Sequence, residues 1–200
     1  MRKIPSIIFV LVAALLLSFS VQAQFKIPEF EHNLILPDST LLPPTIPHNA
    51  QYEFSITLMH ISSTIYEKPF VVLAYNGNKW STYRWTDQRD TANAGKRSYK
   101  IEEIKVSQSQ SKNVFDGLRS NSLFELNRKD LNLTSRVTDS GVENIYIYDG
   151  ESYSFIIQAQ DKVRVIASSD PDEYAKWNPA HQELKRFIEC RDLMYSLYNK

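Results

Sequence analysis

Phe70-Val71-Val72-Leu73-Ala74-Tyr75-Asn76-Gly77-Asn78-Lys79-Trp80-Ser81-Thr82-Tyr83-Arg84-Trp85-Thr86 decides the fold. Two runs rich in β-branched and aromatic residues flank Asn76-Gly77, a dipeptide suited to the positive φ angles of a two-residue hairpin turn. Such a turn sets Tyr75 opposite Asn78, Leu73 opposite Trp80, Val72 opposite Ser81 and Phe70 opposite Tyr83. Apolar groups then fall on both faces of the hairpin.

Upstream, Tyr52 to Leu58 alternates apolar and polar residues and predicts a half-buried first strand. Downstream, residues 87–97 are mostly polar and predict an exposed loop. Tyr99 to Val106 resumes a strand, with a bulge where the apolar alternation shifts between Ile101 and Ile104. Ser111 is a candidate cap for a short helix carrying Val114, Phe115 and Leu118, which Gly117 weakens. A second turn dipeptide, Asp149-Gly150, predicts a hairpin between 144–148 and 151–159, and a third strand, 162–167, returns through Gln160-Asp161. In that meander Tyr146 faces Tyr153 and Asn144 faces Phe155. Ile145, Ile147, Ile156 and Val165 share the other face.

Asp170-Pro171-Asp172-Glu173 reads as a helix start, with Asp170 at the cap and two acids favouring the positive end of the dipole. Asn178-Pro179 restarts a helix whose Leu184, Phe187, Ile188, Met194 and Leu197 recur at helical spacing. The sum is an α+β domain over residues 51–200. A mainly antiparallel sheet of about seven strands is packed on one face by a short central helix and a long C-terminal helix.

The 200-residue chain opens with Arg2 and Lys3, an uncharged run from Ile4 to Phe19, and Val21-Gln22-Ala23. This is the pattern of a secretory signal over residues 1–23, with cleavage after Ala23. An apolar run of about 16 residues falls short of the roughly 20 that span hydrocarbon. No membrane span is therefore expected after cleavage, and the product belongs in the periplasm or outside the cell. Residues 24–50 carry Pro28, Pro37, Pro43, Pro44 and Pro47 among Ile35, Leu36, Leu41, Leu42 and Ile46, which rules out helix or central strand. An apolar, proline-rich stretch of this kind is expected to lie extended across the domain in part.

Chemistry is sparse. Charges balance at 23 of each sign, with no basic block, so nucleic acid is not an expected partner. The four histidines lack metal-ligand spacing, and five glycines form no phosphate-cradling loop, so neither metal nor nucleotide cofactor is expected. Cys190 follows His181 by nine residues, which on a helix places them on nearly opposite sides and about 13 Å apart. A buried, inert thiol fits better than a nucleophile. No catalytic residues are assigned. Glu102 and Glu103 point to opposite faces of a strand, and the acids after 170 suit a helix start.

The aromatic hairpin is the one compositional feature suited to recognition. Trp80, Tyr83, Arg84 and Trp85 are candidate ligand-binding residues, since flat rings beside planar polar groups suit peptides, glycans and protein hot spots. The leading expectation is an exported, non-catalytic interaction module for a protein, peptide or glycan. A hydrolase with an acid and base drawn from distant segments is the alternative, tested first at His60, His181, Asp170 and Glu173. An inhibitor or immunity-type protein acting through loop 87–97 is a third. Asn132-Leu133-Thr134 also matches an N-glycosylation acceptor.

Overall fold

Two runs that bury residues on both faces must sit inside a sheet, and the computed structural model, which describes residues 25–31, 52–62, 69–89, 97–132, 134–147, 150–159 and 162–198, places them there. Strands β1 (Phe54–Ser62), β2 (Phe70–Tyr75), β3 (Trp80–Arg89), β4 (Arg97–Ile104), β7 (Glu151–Ala159) and β8 (Lys162–Ser169) form one six-stranded sheet in the order β4-β3-β2-β1-β7-β8. Every pairing in it is antiparallel. Two further strands, β5 (Ser135–Thr138) and β6 (Gly141–Asn144), form a separate ribbon. Among the described residues four α-helices complete the α+β fold: α1 (Gln108–Ser120), α2 (Arg128–Leu131), α3 (Pro171–Trp177) and α4 (Gln182–Tyr195). Among the described residues the main sheet has six strands and the ribbon two, where about seven in one sheet were expected.

The first hairpin forms, two residues out of the expected register. Tyr75 pairs with Trp80, Val72 with Tyr83 and Phe70 with Trp85. The cause is Asn76, whose side-chain oxygen accepts from the backbone N–H of Asn78 at 3.2 Å and of Lys79 at 3.0 Å, opening the turn to four residues. Only Gly77 takes a positive φ there, at 85°. Because the shift is even, every side chain keeps its expected face.

On the core face Phe54, Ile56 and Leu58 of β1 meet Leu73 and Val71 of β2 and Phe155 and Ile157 of β7. Helices α1 and α4 cover them through Val114, Phe115, Leu118, Leu184, Phe187 and Met194. Residues 25–31 lie against the same core, with the Phe25 ring 4.4 Å from Tyr75 and 4.8 Å from Phe115, centroid to centroid. Phe54 through His60 are buried without alternation, since β1 is central and both its faces are covered.

Several expectations change. The polar stretch 87–97 is partly strand, with Asp87 opposite Tyr99 and Arg89 opposite Arg97; residues 90–96 lie outside the described residues. No bulge interrupts β4, whose register against β3 is continuous; Ile101 and Ile104 simply serve opposite faces, across from Trp85 and Thr82. Ser107 rather than Ser111 caps α1, accepting from the Gln110 N–H at 3.1 Å, while Ser111 is buried inside the helix. The hairpin expected between 144–148 and 151–159 does not form. Strand β7 already has β1 along one edge and β8 along the other, so β6 turns back onto β5. Tyr146 is therefore exposed while Tyr153 is buried, and Ile145 and Ile147 pack on the core, whereas Ile156 and Val165 sit on the outer face of the sheet. Asp149, Gln160 and Asp161 lie outside the described residues.

Gly150 is needed for a reason other than turn geometry. Its φ is not left-handed, but a Cβ built there would overlap the Asp170 carboxylate. That carboxylate accepts the Glu151 N–H at 2.6 Å instead of capping α3. Gly150→Ala is expected to lower stability by about 1–2 kcal/mol by expelling Asp170 from this bond. In chemical denaturation, Asp170→Ala should absorb most of the further loss from Gly150→Ala; strict additivity of the two would refute the contact.

Candidate functional site

The hairpin residues singled out from sequence are largely consumed by packing. Trp80 is buried, 5.0 Å from Phe25 and 5.0 Å from Phe115 by ring centroid, and its backbone N–H and C=O both bond the Gln108 side chain at 2.7 Å. Trp85 is buried on the opposite face of the sheet. Tyr83 and Arg84 are half-buried. The Tyr83 hydroxyl bonds that of Tyr52, whose phenol is pushed up to about 12 by burial and by this bond. Arg84 pairs with Glu102 and lies over the Tyr198 ring at 5.3 Å. Lys100 and Arg84 together hold the Glu102 carboxyl below the usual carboxylate range.

The four residues of the hydrolase alternative are only partly brought together. His60 is enclosed, with no side-chain exposure, its Nε2 3.4 Å from Glu151 Oε2 and its ring 4.7 Å from Tyr153. Asp170 reaches the same Glu151 through the backbone. His181 instead caps α4, its Nδ1 accepting the Leu184 N–H at 3.3 Å, and Glu173 pairs with Lys176 on the surface. What surrounds His60 is a network that sequence spacing did not show. Tyr153 donates to Glu151 at 2.5 Å, Arg191 lies over the Tyr153 ring at 5.0 Å, and Arg191 forks onto Asp172 and bonds Asp192 at 2.8 Å. Burial pushes the Tyr153 and Tyr195 phenols up, and Glu151 adds to the shift at Tyr153. Burial opposes the Arg191 charge, and Asp172 and Asp192 more than offset it. The network joins β1, β7, α3 and α4 as an internal brace.

Cys190 is fully buried, and burial pushes its thiol up to about 12, in keeping with an inert core residue. The Asn132 side chain is engaged on both ends, donating to Arg128 O and Ala167 O and accepting the Ser169 N–H, each at 3.0 Å. As a glycan acceptor it would forfeit those bonds.

The surface that stands out is the ribbon. Residues 135 and 137 of β5, and 142, 144 and 146 from β6 onward, face solvent, while 136, 138, 143, 145 and 147 turn inward. Val137 and Val142 are directly paired and 85% and 66% exposed, and Tyr146, four residues further along from Val142, is 73% exposed. The inward face is fastened. Arg136 bonds Glu143 at 2.7 Å, donates to the Trp177 carbonyl, and stacks over the Trp177 ring at 4.8 Å. The Ile145 N–H to Thr134 C=O bond, 3.0 Å, continues the ladder beyond the strands. The sequence signal was Asp139-Ser140-Gly141 between two Val-containing runs, with Gly141 at φ 128°.

No protein-family model matches the chain, and no curated protein matches it in sequence. Among the described residues no group of His, Cys, Asp and Glu is placed to hold a metal ion, and no helix is long and apolar enough to cross a membrane.

Proposed function

We propose that this chain is an exported, non-catalytic interaction module that binds a protein or peptide through the outward face of the β5–β6 ribbon. The observation that carries the reading is the exposed Val137–Val142 pair with Tyr146, held on a ribbon whose other face is anchored to α3. Two β-branched side chains and an aromatic ring offer apolar area at low entropic cost, and anchoring keeps their geometry fixed before binding. Valines favour a polypeptide partner over a glycan, whose hydroxyls need polar groups. Export to the periplasm or beyond rests on Arg2, Lys3, the apolar run and Ala23.

The test uses tagged protein recovered from the envelope or medium, with a mass beginning at Gln24. Wild type should capture a discrete partner, and Val137→Thr/Val142→Thr/Tyr146→Thr should lose at least ~10-fold of it while melting within about 0.5 kcal/mol of wild type. Equal capture by the variant would refute the ribbon as the binding face, and a mass retaining residues 1–23 would refute signal removal.

A further inference from the structure

Lys162 and Arg164 stand two residues apart on the core-facing side of β8, opposite Ala159 and Ile157, in the last strand of the sheet order. Neighbours on one face of a strand are about 7 Å apart, so the two cations form one row at the margin of the core. They line a cleft of about 590 Å³ together with Phe30 and Glu31 from the N-terminal stretch and Phe124 and Glu125 from the 3-10 turn Leu123–Glu125. That volume is of the size of small-molecule sites, roughly 300–1,000 Å³.

The charges of this cleft do not neutralise one another. Among the described residues neither Lys162 nor Arg164 has a carboxylate oxygen within 4.0 Å, and neither Glu31 nor Glu125 has a cationic nitrogen within that distance. Glu29, also at the cleft, is drawn to Lys26 at 3.8 Å, with its side chain 93% exposed. Arg164 donates from Nη2 to the Leu126 carbonyl at 2.7 Å, while its buried Nε has no partner among the described residues. A buried guanidinium nitrogen left without a partner asks for one. The aromatic wall is firm, since the Phe124 ring is packed 6.1 Å from both Phe54 and Phe115.

We infer that this cleft binds a small zwitterion, a free α-amino acid or a dipeptide, with its carboxylate on Arg164 and Lys162 and its ammonium on Glu31 and Glu125. An inorganic anion would satisfy the two cations but meet two carboxylates in the same cleft, and a simple cation would meet the converse conflict. A ligand carrying both signs satisfies both pairs at once. The guanidinium offers a planar fork that suits a carboxylate. Asn127, whose Oδ1 is taken by the Lys129 N–H at 3.0 Å, leaves its amide N–H groups as further donors. Phe30 and Phe124 give the apolar part of the ligand a surface. The inference does not rest on the ribbon reading, because the cleft is built from β8, the 3-10 turn and the N-terminal stretch.

The test is isothermal titration calorimetry of the purified protein with the common L-amino acids singly and with alanylalanine. At least one should bind saturably, and its N-acetyl and methyl-ester forms should each bind at least ~10-fold more weakly, since each loses one charge-assisted contact. Glu31→Gln/Glu125→Gln should abolish the discrimination against the N-acetyl form while keeping that against the ester. Lys162→Gln/Arg164→Gln should do the reverse, and Lys162→Gln alone, at an exposed position, should lower the discrimination against the ester without changing the melting temperature. Absence of saturable binding at millimolar ligand, equal binding of the blocked forms, or variants that leave both discriminations unchanged would overturn the proposal. Strongest binding by an amino acid identifies the free monomer as the ligand, and strongest binding by alanylalanine identifies the dipeptide.

Discussion

Phe187→Ala is expected to cost about 3–5 kcal/mol in urea denaturation, the largest single loss among substitutions in α4. Phe187 is fully buried in the middle of that helix, and its ring meets Phe155 at the centre of β7 edge-on, centroids 5.3 Å apart and planes at 83°. Truncation removes the transfer free energy of a benzyl group and leaves a hole between a helix and a sheet that are each held elsewhere, so collapse into it is incomplete. The edge-to-face contact adds a smaller amount. Phe187→Leu should recover most of the loss, because volume rather than aromaticity dominates. Ile188→Ala, one residue along and half-buried, is the internal control and should cost visibly less. Equal losses at 187 and 188 would mean that α4 does not face the sheet as described.

Arg191→Ala is expected to cost about 3 kcal/mol, with a mechanism that differs from cavity formation. Arg191 is 8% exposed, and its guanidinium forks onto Asp172, bonds Asp192 at 2.8 Å and lies over the Tyr153 ring at 5.0 Å. Its removal takes away the group that ties α4 to α3 and β7 and leaves the Asp172 carboxylate facing a partly desolvated site. Because Asp172 is half-exposed, water relieves part of that penalty, which holds the expected figure at the low end for a buried charge pair. Arg191→Lys should restore less than half, since an ammonium cannot reproduce the planar fork onto a carboxylate or stack on a ring. Full rescue by lysine would show that charge alone, and not geometry, is what the position requires.

How much of this was legible beforehand differs by element. Pattern and turn chemistry revealed β1, the β2–β3 hairpin, the β7–β8 return, α3 at Pro171 and the apolar face of α4, because each rests on local spacing. The hairpin register failed by two residues because the Asn76 side chain competed for the backbone, a choice that Asn-Gly alone does not reveal. The Asp149-Gly150 hairpin failed for a non-local reason: β7 is claimed on both edges, and Gly150 serves the Asp170 carboxylate. Aromatic clustering in 70–86 suggested a binding surface, yet alternation across a sheet covered on both faces sends Trp80 and Trp85 into opposite interiors. The His60–Glu151–Tyr153–Arg191 network joins residues that are remote in sequence, so no spacing rule finds it. The ribbon face carries an ordinary turn signal, but exposure of its valines is a property of the assembled fold.

Placing a photo-activatable residue at position 142 and, in parallel, at the exposed Arg186 of α4 tests the ribbon most directly. Irradiation in the native envelope should give one discrete higher-mass adduct from position 142 and none from 186. No adduct at 142, or the same adduct from both positions, would contradict the ribbon as the partner-binding face.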